Sequence, residues 1–404
     1  MATTVGVRRY EETHPWLTFK LDLNRLSHRT WMLLGEAQSK CEHIAGVPLR
    51  PEIAKQLMAV YLSKGAHGTT SIEGNTLSEG EVMRRVEGDL DLPVSREYLG
   101  QEIDNIVEAY NGTVRRILKG EPVRVTPEHL LGHHAMILRG QPRKPDVEPG
   151  QFRNHSVGVA NYRGAPAEDI PYLLNRLCSW LSNDFTVSDE HSDMHWALNV
   201  MKALMAHLYI AWIHPFGDGN GRVSRMLEFE FLVQAGVPLP ACHVLSDHYN
   251  RTREAYYAAL ARTSREDGYP VEVFIQYAIQ GFVDELREQL SLVRDHQMDV
   301  TWQNYVHDVY RDQDTPARRR QRHIALDLPI DEPTPRAKLR VLSARVAAEY
   351  AGKTSKTVAR DLNELTRAGL VIRTPRGILP NRDLIRAFLA ARAEPPEAAP
   401  TPGS

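Results

Sequence analysis

Apolar residues recur at three- and four-residue spacing through most of the first 290 positions, the periodicity of helices that bury one face. The spacing predicts helices over 21–44, 51–63, 95–118, 126–138, 170–181, 193–213, 222–234, 249–261 and 271–292. Strand-like alternation is confined to 149–166, closed by Gly and Pro at both ends, where a short hairpin is expected. Proline and charge gather over 314–336, although 317–328 inside that stretch has the pattern of a helix. The expected organisation is therefore an N-terminal helical region over 1–120, a helical core over 121–313, a small module over 314–392 and an unfolded tail over 393–404.

Composition changes this picture little: 42% hydrophobic and 25% charged residues describe an ordinary globular chain. Charge changes it more. Residues 1–310 carry 31 Lys and Arg against 40 Asp and Glu, whereas 311–392 carry 18 against 9, so a mildly acidic body precedes a basic module. Such a split makes nucleic acid a candidate partner for the module, beside the plainer reading of a solvated basic face. The longest uninterrupted apolar stretch, within 203–213, falls far short of the roughly 18 residues that span a bilayer, so no membrane association is expected. Three widely spaced cysteines, Cys41, Cys178 and Cys242, fit neither a disulfide framework nor a zinc cluster, and a reducing cytoplasm is the expected address.

Candidate chemistry is densest after the long apolar helix, at His214-Pro215-Phe216-Gly217-Asp218-Gly219-Asn220-Gly221-Arg222, with Arg225 three residues on. Glycines at every second position permit positive φ and expose successive N–H groups, which builds an anion nest. Apolar periodicity resumes at once, so the nest sits at a helix N-terminus, where the dipole adds to the attraction. Arg222 and Arg225 offer forked donors for phosphate oxygens, and Asp218 inside an anion site makes sense beside Mg²⁺. His214, with an ordinary pKa of about 6.5, is largely neutral near pH 7 and able to accept a hydroxyl proton.

The segment resembles the signature of the Fic family, helical enzymes that transfer AMP from ATP to a protein hydroxyl. The resemblance implies a mainly α fold: a helical Fic domain with a short hairpin flap, followed here by a small α+β module. It implies His214 as the base and Asp218 as the Mg²⁺ ligand. Gly217, Gly219, Asn220, Gly221, Arg222 and Arg225 would hold the phosphates of ATP, and Phe216 would anchor the loop in the core. Members that phosphorylate carry Lys where this chain has Gly221, so nucleotidyl transfer is expected. The hairpin, with Phe152, Val157 and Val159, lies where the family docks the target's backbone. Thr69-x-x-x-Glu73-Gly74 resembles the family's inhibitory pattern, implying that Glu73 engages Arg225 and withdraws it from ATP. The same pattern also suits a carboxylate that merely ends a helix before Gly74. By position, Tyr249 or Tyr256 would hold adenine.

Elsewhere the readings are plainer. His191 and His195 lack the rest of a metal motif, and His133, His134 and His207 read as satisfied histidines among apolar positions. The basic module resembles a winged helix. Val358, Leu362 and Leu365 form a buried stripe, Thr354 or Ser355 caps the second helix, Gly369 stops it, and a wing turns at 375–377. Lys353, Lys356, Thr357, Arg360, Arg373 and Arg376 are placed for DNA, while docking or dimerisation through the same face is the alternative. The expected function is ATP- and Mg²⁺-dependent protein adenylyltransferase, braked by Glu73, with a homodimer as a candidate assembly. The alternatives are a nucleotide-sensing, DNA-binding regulator and a hydrolase that removes AMP.

Overall fold

The computed structural model of the chain describes residues 8–121, 124–142, 145–159, 162–185 and 194–386. These divide into two compact units, 1–291 and 292–404.

In the first unit the helices run α1 (Arg9–Thr13), α2 (His28–Gly46), α3 (Pro51–Ile72), α4 (Glu79–Glu87), α5 (Glu97–Leu118), α6 (Pro127–Ile137), α7 (Ile170–Asn183), α8 (His195–Ile213), α9 (Asn220–Gln234), α10 (Leu239–Cys242), α11 (Val244–Arg251) and α12 (Arg253–Arg265). A two-stranded antiparallel hairpin, β1 (Gly158–Val159) and β2 (Tyr162–Arg163), lies between α6 and α7. Helix starts follow local chemistry: the Ser78 hydroxyl and the Glu81 carboxylate close a capping box on α4, and the Thr126 hydroxyl accepts from the His129 N–H ahead of Pro127 on α6.

Buried side chains from Tyr10 to Leu286 form one continuous core, so 1–120 and the segment after it share their interior. At its centre α8 packs on α9, and α5 and α6 pack against α9 in turn. Helix α8 by itself is long and apolar enough to cross a bilayer, a property masked in the sequence by His195, Lys202 and His207, but 78% of its apolar window is buried in this core. It is the unit's central helix.

Helix α3 runs nine residues beyond the predicted 51–63, because Gly65 and Gly68 interrupt the apolar pattern without interrupting the helix. They serve contact instead. A Cβ at Gly68 would lie 2.5 Å from the Ser246 carbonyl oxygen, so α3 and α11 touch backbone to backbone there.

Helix α13 (Val271–Val309) is far longer than the predicted 271–292, and the division between units falls within it, at 291/292 rather than near Asp314. The reason is that Trp302, Val306 and Tyr310 bury themselves in the second unit's core, a periodicity diluted by polar neighbours. That core also takes residues from α14 (Pro316–Asp327), α15 (Ala344–Tyr350), α16 (Ser355–Arg367), β3 (Val371–Thr374) and β4 (Gly377–Pro380). The two strands pair antiparallel, with Arg373 opposite Ile378. Val358, Leu362 and Leu365 are buried as expected, and Gly369 ends α16 at φ 73°. Thr354 occupies the N-cap position but makes no side-chain capping bond. Asp361, fully buried, accepts from Arg320 Nε at 2.8 Å and from the Tyr350 hydroxyl at 2.8 Å, tying α14, α15 and α16 together. The predicted tail over 393–404 and His191 lie outside the described residues.

Candidate active site

The loop between α8 and α9 begins with His214 in the left-handed region, φ 52°, an uncommon conformation for a residue with a side chain. It is held from several sides. The His214 N–H donates to the Ile210 carbonyl at 2.9 Å, and Arg153 Nε donates to the His214 carbonyl at 2.7 Å. Phe216 is fully buried, and Asn220 staples it, accepting from its N–H at 2.9 Å and donating to its carbonyl at 2.8 Å. The Asn220 side chain thus shapes the loop; what remains for an anion is the start of α9, whose first N–H groups no helix satisfies internally. Gly219 turns the chain into α9 at φ 77°.

His134 completes the loop's support. Its ring stacks on Phe216, centroids 3.9 Å apart and planes within 10°. Nδ1 accepts from the Gly150 N–H at 3.0 Å, so Nε2–H donates to the Asp218 carbonyl at 3.1 Å. Burial lowers its pKa to about 4, which keeps the ring neutral for this paired role.

Arg222 and Arg225 both meet carboxylates from other helices. Arg225 is fully buried: Nε donates to the Thr69 hydroxyl at 2.8 Å, and Nη2 donates to the Thr69 carbonyl at 2.9 Å and to Glu73 Oε1 at 2.7 Å. Glu73 caps the C-terminus of α3, and Gly74 follows at φ 103°. It therefore ends its helix and engages Arg225 at once. Its carboxylate rests on Gly221, where a Cβ would lie 2.1 Å from Oε1. Arg222 Nη1 donates to Glu102 Oε1 at 2.5 Å, and its Nη2 reaches Asp218 Oδ1 at 3.5 Å. Glu102 accepts also from Asn75 Nδ2 at 2.9 Å, so Arg222 is part of a buried tie between α5 and α9.

His214 Nδ1 lies 3.3 Å from the Ala211 carbonyl, which can only accept, so the proton sits on Nδ1 and Nε2 keeps its lone pair. Burial, with Arg153 adding to it, lowers the ring's pKa to about 4, leaving it neutral near pH 7. It lines a cavity of about 470 Å³ together with Glu73, Gly221, Arg225, Val159, Tyr162, Tyr256, Tyr257 and Leu260. That volume suits a nucleotide-sized ligand, with cationic and N–H donors at one end and aromatic and aliphatic walls at the other. Tyr256 is on its wall. Tyr249 is not: it is fully buried, donating to Glu228 at 2.8 Å.

Residues 124–232 match the Fic/DOC family. They form a Fic domain. The chain is 26% identical over 209 residues to a protein adenylyltransferase of Caenorhabditis elegans, covering 52% of this chain and 37% of that protein. It is 31% identical over 189 residues to a protein adenylyltransferase of Culex quinquefasciatus, covering 47% and 34%. It thus spans about a third of the length of these curated relatives. A Fic family protein from Desulfovibrio desulfuricans shares its fold with a TM-score of 0.54 at 19% identity, over 92% of this chain and 98% of that one. A Fic domain protein from Bacteroides thetaiotaomicron does so at 0.52 and 18%, over 65% and 98%.

The Fic domain's hairpin is shorter than 149–166, with two residues per strand at Gly158–Val159 and Tyr162–Arg163. Val159 is exposed at the cavity mouth, and Val157 accepts at the hairpin's base from the Gly164 N–H at 3.1 Å. Phe152 is not on the hairpin: its ring packs 5.6 Å from Phe216, so it roots the segment in the core. The preceding stretch is held by Arg153, which sequence reasoning passed over. Besides His214, its guanidinium donates to the carbonyls of His155 at 2.6 Å and Ala165 at 2.5 Å. Gly164 makes room for it, since a Cβ there would stand 2.9 Å from Arg153 Nη2 and 2.8 Å from His214 Cβ. In the second unit, Lys353, Lys356, Arg360 and Arg376 are exposed and Thr357 is half-buried. Arg373, though exposed, folds onto α16, donating to Asn363 at 2.6 Å and Thr366 at 3.1 Å.

Proposed function

We propose that the chain is a protein adenylyltransferase held in check by its own Glu73. The observation that carries the reading is the meeting of a neutral His214, lone pair on Nε2, with a phosphate-sized donor cradle at the start of α9 in one cavity. The α-phosphate of ATP would sit over the Gly219–Gly221 backbone, with adenine toward Tyr256, Tyr257 and Leu260. A target hydroxyl then gives its proton to His214 Nε2 while its oxygen bonds the α-phosphorus. The bond from that phosphorus to the α,β-bridging oxygen breaks, and pyrophosphate leaves with its electron pair. Positioning and charge stabilisation supply most of the rate. Val159 and its strand partner offer the target an edge on which to lie as an added strand.

Asp218 suits Mg²⁺: its carboxylate is 38% exposed at the cradle's rim, a hard oxygen donor of the kind this ion takes singly while keeping water and phosphate for the remainder. When bound, the ion would neutralise phosphate charge. The brake is supported by Arg225, whose donors already go to Thr69 and Glu73, so the γ-phosphate would find this arginine taken. In the second unit the exposed Lys353, Lys356, Arg360 and Arg376 support a nucleic-acid contact, to which Arg373 contributes by bracing the hairpin. The buried free thiols Cys41, Cys178 and Cys242 are in keeping with a reducing, cytoplasmic setting.

The test is incorporation of label from α-³²P ATP into protein in a lysate. Glu73→Gly should label protein strongly, and Glu73→Gly with His214→Ala should not. Equal labelling by the two variants would overturn the assignment of His214, and no labelling by Glu73→Gly at any ATP concentration would overturn the reading.

A further inference from the structure

Eight residues beyond Arg222, α9 places a second buried carboxylate that the reaction above does not use. Glu230 Oε2 lies 2.6 Å from His129 Nε2 and 3.0 Å from His133 Nε2, and the two ring nitrogens are 3.0 Å apart. His129 and His133 are one turn apart on α6, so their rings share a face, 4.4 Å between centroids. All three donor atoms lie within 4.8 Å of one another. Glu230 and His133 are buried and His129 is half-buried, which leaves an approach from solvent. From α5, Arg116 donates to the other carboxylate oxygen, Oε1, at 2.8 Å.

A hydrogen-bonded acid–imidazole cluster would account for any one of these contacts. It does not account for their convergence. Two imidazole nitrogens on separate residues aim at one oxygen and at nearly one point. Arg116 occupies Oε1 and so presents Oε2 singly, the part an outer partner plays for a ligating carboxylate. Two neutral nitrogens and one carboxylate oxygen form the donor set of borderline divalent ions, with a fourth position left for water. Ligands at about 2.0–2.2 Å from a tetrahedral ion stand about 3.3 Å apart, so the two 3.0 Å separations need to open by about 0.3 Å and the 2.6 Å one by about 0.7 Å.

We propose that His129, His133 and Glu230 bind a divalent transition metal of the Zn²⁺ class, cross-linking α6 to α9. The ion holds the two helices together, one position staying open to water. Residue 134, next to the ligand His133, carries the ring that supports Phe216 and the Asp218 carbonyl, and α9 starts at the cradle; metal occupancy therefore stiffens both walls of the loop.

The experiment uses the full chain, stripped with a chelator, and Zn²⁺ competed against a chromogenic indicator, with Co²⁺ absorption as a spectroscopic check. The wild-type chain should bind one equivalent and melt about 2–4 °C higher with Zn²⁺. His129→Gln, at the half-buried position, should weaken binding by at least about tenfold and lose the melting shift, with its circular dichroism unchanged. Glu230→Gln should do likewise. Asp218→Ala should bind Zn²⁺ as the wild type does, which separates this site from the reaction centre. No binding by the wild-type chain, or His129→Gln binding as tightly as wild type, would overturn the proposal whatever the chain's catalytic activity proves to be.

Discussion

Arg222 and Arg225 come from one turn of α9, and each meets a carboxylate delivered by another helix, yet the two seats are built differently. Glu102 stands inside α5, in its second turn, buried, with Asn75 donating to it as well. Glu73 stands at the end of α3, its side chain 24% exposed, before a left-handed glycine and resting on a residue with no side chain. Removing a partner from the first seat strands a buried charge, while opening the second frees an arginine toward a cavity sized for a polyphosphate. On the proposed reading, one pair is a tie and the other a catch. A motif that lists both arginines as phosphate ligands does not distinguish them.

The largest expected effect tests what both seats serve. In a Glu73→Gly background, His214→Ala should lower AMP transfer by about 10²–10⁴-fold, the ordinary worth of a positioned base, with ATP binding retained by calorimetry. Next, Glu73→Gly alone should raise transfer by at least about tenfold, whereas Glu102→Gln should give no rise and should cost about 1–3 kcal/mol in denaturant unfolding. A rise with Glu102→Gln would erase the distinction between tie and catch. Smaller again, Gly221→Ala should raise transfer less than Glu73→Gly does, because the methyl that displaces the carboxylate also narrows the phosphate seat over Gly219–Gly221. Its new Cβ would stand 2.1 Å from Glu73 Oε1 and 3.0 Å from Arg225 Nη1, pushing out the flexible carboxylate at some expense to the arginine.

The smallest effect is in pH. Burial lowers His214 and His134 to about 4 and His243 to about 3, against an unfolded value of about 6.5. Between those values the unfolded chain binds more protons, so stability should be level above pH 7 and fall as the pH drops from about 6.5 toward 4. Melting temperatures at pH 7.5, 6.0 and 5.0 check this. For Glu73→Gly, kcat/KM should stay level from pH 8 down to 6; an acid limb centred near 6.5 would mean that His214 is not desolvated as described.

How far the site was legible follows from where its parts lie along the chain. The loop from His214 to Arg225 is contiguous, so its glycines, histidine and arginines could be read directly, and Thr69 and Glu73 with it. Arg153, His134 and Glu102 act through contacts 61, 84 and 120 positions away, and no local pattern marks them. The true length of α3 was hidden by Gly65 and Gly68, whose role appears only when α11 lies against them. The far half of α13 was hidden by polar neighbours around Trp302 and Val306. His129 and His133 did carry a signal, four positions apart on a helix, but Glu230 completes it from about a hundred residues downstream.

The close approach at Gly68 has a bearing on timing. A rod seated backbone to backbone against its neighbour has no room to slide or roll, so an incoming triphosphate would not need to lever α3 aside. On the proposed reading what yields is a single carboxylate turning about its own bonds, a motion of nanoseconds or less for a partly solvated side chain. Release of the brake should then show no lag of the kind that a moving domain imposes.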